Sequence, residues 1–332
     1  MSPPEESHPH LPSSVARALV CTVLSLSFAV GVPGNAFVIW TICGRMKQRP
    51  LTVMLVLHLA IADLLVLVTL PIWIYSFADK WLFSLVACKA LVFVIYFSMY
   101  ASIFLITALS MERYMAVFYP FAVQRWKHKT AHVVVPIIWF LSIAFGATIL
   151  PFQDTEDTEM GLQCAVRSYE TASQEVTCLL LESAVGFIIP FAVISICYAL
   201  VSRRIGAMTC PSKRRSARLI ASVVIAFCLC WLPHHVFNLI DVALLLKEDL
   251  QSGALERISA MGTYIAGSLA FISSCINPLL YAFAARNFQS SVRFTRLSKL
   301  FEQMSPLMRQ EPTEESTCRN GKEDTSATME MI

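Results

Sequence analysis

Charge is what this chain has least of. Only 15% of its 332 residues are Asp, Glu, Lys or Arg, against about a quarter in an ordinary soluble domain. Its length would allow two soluble domains, but the charge is too sparse to coat them. Other absences narrow the field further. No Asn stands two residues before a Ser or Thr: Asn35, Asn238, Asn277, Asn287 and Asn320 all fail that test, which excludes N-linked glycosylation. The eleven Cys offer no CxxC and no Cys/His spacing suited to zinc, and Cys228-Leu229-Cys230 lies in an apolar run that makes a poor metal site. There is no HExxH, and no Ser/His/Asp set falls at one depth. His58 is isolated and reads as a packed or interfacial residue, whereas His234 and His235 face a pocket or a neighbouring helix. No enzyme is expected. Residues 263–284 contain no Lys, so a retinal-type pump is excluded, and without internal repeats a transporter is the weaker alternative. Met1–Ser14 has no cationic stretch, so the first apolar block is expected to act as its own insertion signal. Net charge is only +3, and no nucleic-acid partner is expected.

What the chain has in quantity is long apolar runs: 56% of it is hydrophobic, and its mean hydropathy is +0.61. Seven blocks, 16–43, 51–78, 85–118, 130–151, 176–204, 216–246 and 257–284, are each long enough to cross a bilayer with some tilt. They predict an all-α membrane protein, a seven-transmembrane helix bundle over 15–285. Cations collect in alternate connections (Arg45, Lys47, Arg49; Arg125, Lys127, Lys129; Arg203, Arg204, Lys213, Arg214, Arg215, Arg218), while Asp79, Asp154, Glu156, Asp157, Glu170 and Glu175 mark the other side. The excess of Lys and Arg on the cytoplasmic side of membrane proteins then puts residues 1–14 outside. Residues 286–302 alternate Phe288, Val292, Leu297 and Leu300-Phe301 with Arg and Lys, a pattern for an amphipathic helix on the inner leaflet. Residues 303–332 read as a disordered cytoplasmic tail, with Thr313, Ser316, Thr317, Thr325, Ser326 and Thr328 as candidate phosphorylation sites or, alternatively, an inert solvated end.

The third block, Cys88 to Tyr119, would be roughly 48 Å long as a helix, more than the ~30 Å hydrocarbon layer. It ends in an acid-base pair, Glu112-Arg113. An Arg at a membrane helix end is costly, and the adjoining carboxylate offsets the cost; a merely snorkelling Arg is the alternative. Asp63 sits mid-block, where a lone carboxylate is expensive. Ser102, Ser273, Ser274, Asn277 and Asn35 can converge on it, and such oxygens suit a hard cation such as Na⁺, the alternative being a protonated, hydrogen-bonded acid. Pro71, Pro190, Pro233 and Pro278 each remove a helix hydrogen bond. Trp231 beside Pro233 and Tyr281 after Asn277-Pro278 read as hinge points, with static bends as the alternative. Cys88 and Cys164 are the two cysteines on the oxidising side, and a bridge between them would tie the loop over the bundle mouth.

Several stretches together resemble the rhodopsin-like (class A) G-protein-coupled receptors, from Val15 to Glu302. They are Gly34-Asn35, Leu59-Ala60-Ile61-Ala62-Asp63, Glu112-Arg113-Tyr114, Trp139, Pro190, Tyr198, Cys230-Trp231-Leu232-Pro233 and Asn277-Pro278-Leu279-Leu280-Tyr281. The resemblance implies a latch at Glu112, Arg113 and Tyr114, with Tyr198, Trp231, Pro233, Asn277 and Tyr281 reorganising on activation. It implies an allosteric sodium site at Asp63, Ser102, Ser273 and Asn277, a Cys88–Cys164 bridge, and no cofactor beyond that ion. Its implied partners are membrane lipid and a heterotrimeric G protein, of the inhibitory type by subfamily analogy, with arrestin and receptor kinases at the tail.

Within that family the chain looks most like the leukotriene B4 receptors and the wider chemoattractant group. The matching stretches are Phe97-Ser98-Met99-Tyr100-Ala101-Ser102, Glu182-Ser183-Ala184-Val185-Gly186-Phe187 and His234-His235-Val236-Phe237-Asn238. By that likeness the extracellular chemoattractant, a lipid such as leukotriene B4 or else a peptide, meets Tyr100, Glu182 and Asn238 at the plasma membrane, with Trp231 beneath it by the wider family resemblance; His235 joins them as facing the pocket, and Arg167 and Arg257 as the cations a carboxylate needs. The chain departs from the group at Val92, where a polar His is usual, and at Thr263, where a base is usual. Of the remaining cations, Arg167 and Arg257 lead over Lys80, Lys89 and Lys247, because an Arg fork grips a carboxylate through two bonds. Pairing with a loop acid is the competing role for either Arg.

Overall fold

The computed structural model describes residues 14–46, 49–121, 129–158, 161–206, 211–246 and 253–285. The expected amphipathic helix at 286–302, the tail at 303–332 and residues 1–13 lie outside the described residues. So do the side chains of Arg257 and Tyr281, although both positions fall within a helix.

Among the described residues, seven helical segments are long and apolar enough to cross a membrane. The first is Ser14–Arg45. The second crossing is two helices, Leu51–Leu67 and Leu70–Ala78, broken at Val68–Thr69 just ahead of Pro71. Proline there has no N–H to continue the ladder but fits the first turn of the new helix. The third is Leu85–Phe118, started by Ser84, whose hydroxyl accepts from the Ala87 N–H at 3.3 Å. The fourth is Lys129–Gly146, closed by a 3₁₀ turn over Ala147–Ile149. The fifth begins at Ala172–Ser183 with a Thr171 cap, widens into a π-helical turn over Ala184–Ile188, and continues as Ile189–Gly206 through Pro190. The sixth, Pro211–Leu246, runs through Pro233, and the seventh, Gly253–Ala285, through Pro278.

The apolar-block pattern of the sequence carries no sign of strands between the fourth and fifth spans. Two pair there as an antiparallel hairpin, β1 (Gln153–Thr158) and β2 (Gly161–Arg167), with an irregularity between Asp154 and Glu156. Gly161 takes a positive φ of 91°, which suits glycine at this turn. The Cys88–Cys164 disulfide holds β2 to the head of the third span, both cysteines being buried. The Trp81 N–H donates to the Leu162 carbonyl at 2.7 Å, and Gln163 Nε2 to the Asp79 carbonyl at 3.1 Å. The hairpin therefore roofs one end of the bundle, and Glu112-Arg113 lies at the other.

The third and fourth spans meet almost backbone to backbone. A Cβ added to Gly146 would stand 2.9 Å from the Phe97 amide nitrogen and 3.0 Å from its Cα. Backbone cannot step aside as a flexible side chain can. Gly146→Ala is therefore expected to lower thermal stability by roughly 1–3 kcal/mol despite alanine's better helix propensity. A thermal melt of the detergent-solubilised protein measures it, and an unchanged or raised midpoint would contradict the close fit.

Candidate functional site

Three polar constellations lie along the bundle. The first is at the inward-pointing middle. Asp63 is 1% exposed. Ser102 Oγ donates to its Oδ1 at 3.1 Å and Asn277 Nδ2 to its Oδ2 at 2.9 Å, with Ser274 as a further hydrogen-bonding neighbour. Ser273, which the sequence placed in this group, instead accepts from Trp231 Nε1 at 3.1 Å and donates to the Ala270 carbonyl at 2.7 Å. Asn35 braces the group from the first span: its Nδ2 donates to the Ser274 carbonyl at 2.9 Å and the Gly31 carbonyl at 3.1 Å, leaving its buried Oδ1 without a partner. The donor set is all oxygen apart from the Asn amides, which fits a hard monovalent cation better than a soft metal.

The second constellation is at the far end from the hairpin. Arg113 Nε lies 3.0 Å from Glu112 Oε2, with Glu112 almost wholly buried. Arg113 also donates to Thr52 Oγ1 of the second span at 2.7 Å. Thr52 was not visible as a partner in the sequence, because a single hydroxyl in an apolar run carries no spacing signal. Tyr198 sits within electrostatic reach of Arg113 and Glu112, whereas the Tyr114 ring stacks on Phe118 at 4.7 Å.

The third is beneath the hairpin. A cavity of about 690 Å³ opens there, lined on its apolar side by Val20, Leu24, Trp73, Phe77, Val92 and Ile95. Its deep end reaches Trp231, Ser102, Ser273 and Ser274, so it adjoins the Asp63 group. Both positions where the chain departs from the leukotriene receptor pattern, Val92 and Thr263, line it. Arg167 and His234 line it too and meet on one acid: Arg167 Nη1 is 3.3 Å from Glu182 Oε2, and His234 Nε2 is 2.6 Å from Glu182 Oε1. The Arg167 guanidinium lies over the Tyr96 ring, 5.3 Å from its centroid, and the Tyr96 hydroxyl contacts Glu182 at 3.5 Å. Burial alone would weaken the charge on Arg167. Glu182 and Tyr169 outweigh that, so the guanidinium pKa stands above its ordinary value. Two more carboxylates, Glu175 and Asp241, line the same cavity, Asp241 accepting from the Ser259 hydroxyl.

Of the seven residues the sequence put at a ligand, Arg167 and Trp231 line this cavity, and Glu182 stands behind its wall. Tyr100 and Glu182 border a separate small void of about 20 Å³. His235 faces the fifth span, its ring stacked on Phe187 at 5.0 Å, and it and Asn238 are each 2% exposed. It is His234, one position earlier, that reaches the cavity; one residue along the helix turns the side chain by about 100°, and adjacency in sequence does not say which one faces in. Lys80 and Lys89 do not line the cavity, and Lys247 lies outside the described residues.

A bundle of seven membrane-spanning helices, a disulfide-held roof, a cavity under it and a buried acid-base pair at the opposite end define a polytopic membrane receptor. The family model "7 transmembrane receptor (rhodopsin family)" matches residues 34–281. The chain belongs to that family of receptors, which are not enzymes. It is 34% identical over 297 residues to leukotriene B4 receptor 1 of Homo sapiens, covering 89% of this chain and 84% of the relative, and 37% identical over 294 residues to that of Bos taurus, covering 87% and 84%. It is also 32% identical over 295 residues to the type-2 angiotensin II receptor of Meriones unguiculatus, covering 86% and 81%.

Proposed function

We propose that this receptor sits in the plasma membrane with its N-terminus and hairpin outside, binds leukotriene B4 or a related hydroxy fatty acid in the cavity beneath the hairpin, and signals through an inhibitory-type heterotrimeric G protein. The observation that carries the ligand class is the cavity itself. Its 690 Å³ falls within the ~300–1,000 Å³ typical of small-molecule sites. Its wall is largely apolar, and a guanidinium stands under the roof where an acid head group would arrive. Likeness to two leukotriene B4 receptors supports the same class.

Binding helps only through its differential affinity for the signalling arrangement. Contacts beside Trp231 would tighten as the Arg113 end of the bundle opens. Trp231 is bonded to Ser273 and touches both histidines, so a shift of its indole reaches the seventh span directly. Asp63, Ser102, Ser274 and Asn277 would hold a sodium ion, which would balance the buried carboxylate's charge. Arrestin and receptor kinases would act on the tail at 303–332.

A second reading, a peptide chemoattractant, is favoured by Glu175 and Asp241, two cavity acids suited to a basic side chain. Likeness to an angiotensin II receptor points the same way. Cells expressing the chain are to be challenged with eicosanoids and with chemoattractant peptides, reading cAMP fall and calcium rise. A response to leukotriene B4 supports the first reading. Silence to every eicosanoid with a response to a peptide replaces it.

A further inference from the structure

Arg167 does not wait free for a ligand. Its guanidinium is engaged by Glu182, a carboxylate of the receptor itself, contributed by the fifth span and only 6% exposed. Two further acids, Glu175 and Asp241, line the same cavity. The cavity as built therefore sets one described guanidinium among three carboxylates at or behind its wall, and an anionic head group entering it must compete with Glu182 for that cation. Yet Glu182 holds a second partner: its other oxygen faces His234 Nε2 at 2.6 Å. The acid bridges a loop cation to the sixth span, and His234 in turn sets its ring edge-on to Trp231 at 5.9 Å.

We propose that Glu182 is a built-in counter-ion that stands in for the ligand's carboxylate on Arg167, so that an anionic ligand binds by displacing Glu182 from the guanidinium and leaving it paired with His234 alone. This rests on the anionic-lipid reading above and specifies how that same site admits its ligand. It makes Glu182 a specificity-determining residue that opposes binding, the reverse of an acid that merely holds Arg167 in place. It also gives the ligand a mechanical effect, because the bond that is broken ties the hairpin to the fifth span and the bond that survives ties the fifth span to the sixth beside Trp231.

The test is equilibrium binding of labelled leukotriene B4, and of its uncharged methyl ester by competition, to cell-surface receptor quantified through an epitope tag. Glu182→Gln preserves volume and keeps one acceptor oxygen while removing the competing charge. It is expected to bind the acid about tenfold more tightly, the scale of one charge-assisted hydrogen bond, with no gain for the ester. In an Arg167→Gln background the same substitution is expected to change nothing. Glu182→Asp, whose shorter side chain reaches Arg167 less well, is expected to fall between, and it serves if the Gln variant fails to reach the surface. Weaker or unchanged acid binding by Glu182→Gln at normal surface level overturns the proposal, as does an equal gain for acid and ester or a gain that survives loss of Arg167. If wild type binds the acid and Glu182→Gln loses it, only the counter-ion role falls. If neither binds the acid, the anionic-lipid reading falls and takes this inference with it.

Discussion

Arg113→Ala is expected to leave the receptor at the cell surface while reducing agonist-driven nucleotide exchange on a purified G protein to background. The guanidinium is held on two sides, by Glu112 at 3.0 Å and by Thr52 at 2.7 Å. Neither bond is part of the apolar packing that holds the spans together. Removing the Arg strands Glu112, a carboxylate only 4% exposed, and an uncompensated buried charge commonly costs about 3–5 kcal/mol. Protonation of the acid or entry of water at the membrane edge lowers that cost, which is why surface expression is expected to survive. The opposite sign is expected from loosening the latch without removing the Arg. Thr52→Val and Glu112→Gln should each raise basal exchange, by up to about tenfold if the lost bond is worth near 1.4 kcal/mol. The measurement is GTPγS binding in membranes normalised to surface receptor. Full signalling by Arg113→Ala would show that this pair has no part in coupling.

Asp63→Asn is expected to remove the receptor's response to sodium. In wild type, replacing choline chloride by sodium chloride at constant ionic strength should raise the thermal midpoint and weaken agonist affinity, since an ion bound to one arrangement stabilises that arrangement by mass action. The Asn variant keeps an acceptor for Ser102 and a similar shape, but it has no charge to hold the ion. Its midpoint and agonist affinity should be the same in the two salts. A sodium effect of undiminished size in the variant would place the ion elsewhere or dismiss it.

The fold was largely legible because membrane solvation writes itself along the chain: each crossing must satisfy its own backbone and coat itself with apolar groups. All seven apolar blocks coincide with helices, and the break before Pro71 follows from the missing N–H. The hairpin was not legible. β1 reads Gln-Asp-Thr-Glu-Asp-Thr, with no alternation of apolar and polar residues, because it is held by a disulfide and backbone bonds and not by a buried face. In the candidate site, Glu112 and Arg113, adjacent in sequence, lie at ion-pair distance. Partners brought together from distant segments were half-read. Arg167 was named but not its seat on Glu182. Sequence alone does not separate His234 from His235 or Ser273 from Ser274; the structure sets His234 at the cavity and Ser274 against Asp63. One residue along a helix rotates a side chain by about 100°, and composition does not record that rotation.

The contact between Gly146 and the Phe97 backbone decides how motion is shared out. Two helices touching at main-chain distance have no compressible layer between them and cannot slide without a steric jump. The third and fourth spans are therefore expected to shift together at this level, between the disulfide-anchored head of the third span and Arg113. Bending is expected instead elsewhere in the bundle, where the π-helical turn at Ala184–Ile188 and the prolines at 233 and 278 have already disturbed main-chain bonds that a bend would otherwise have to break.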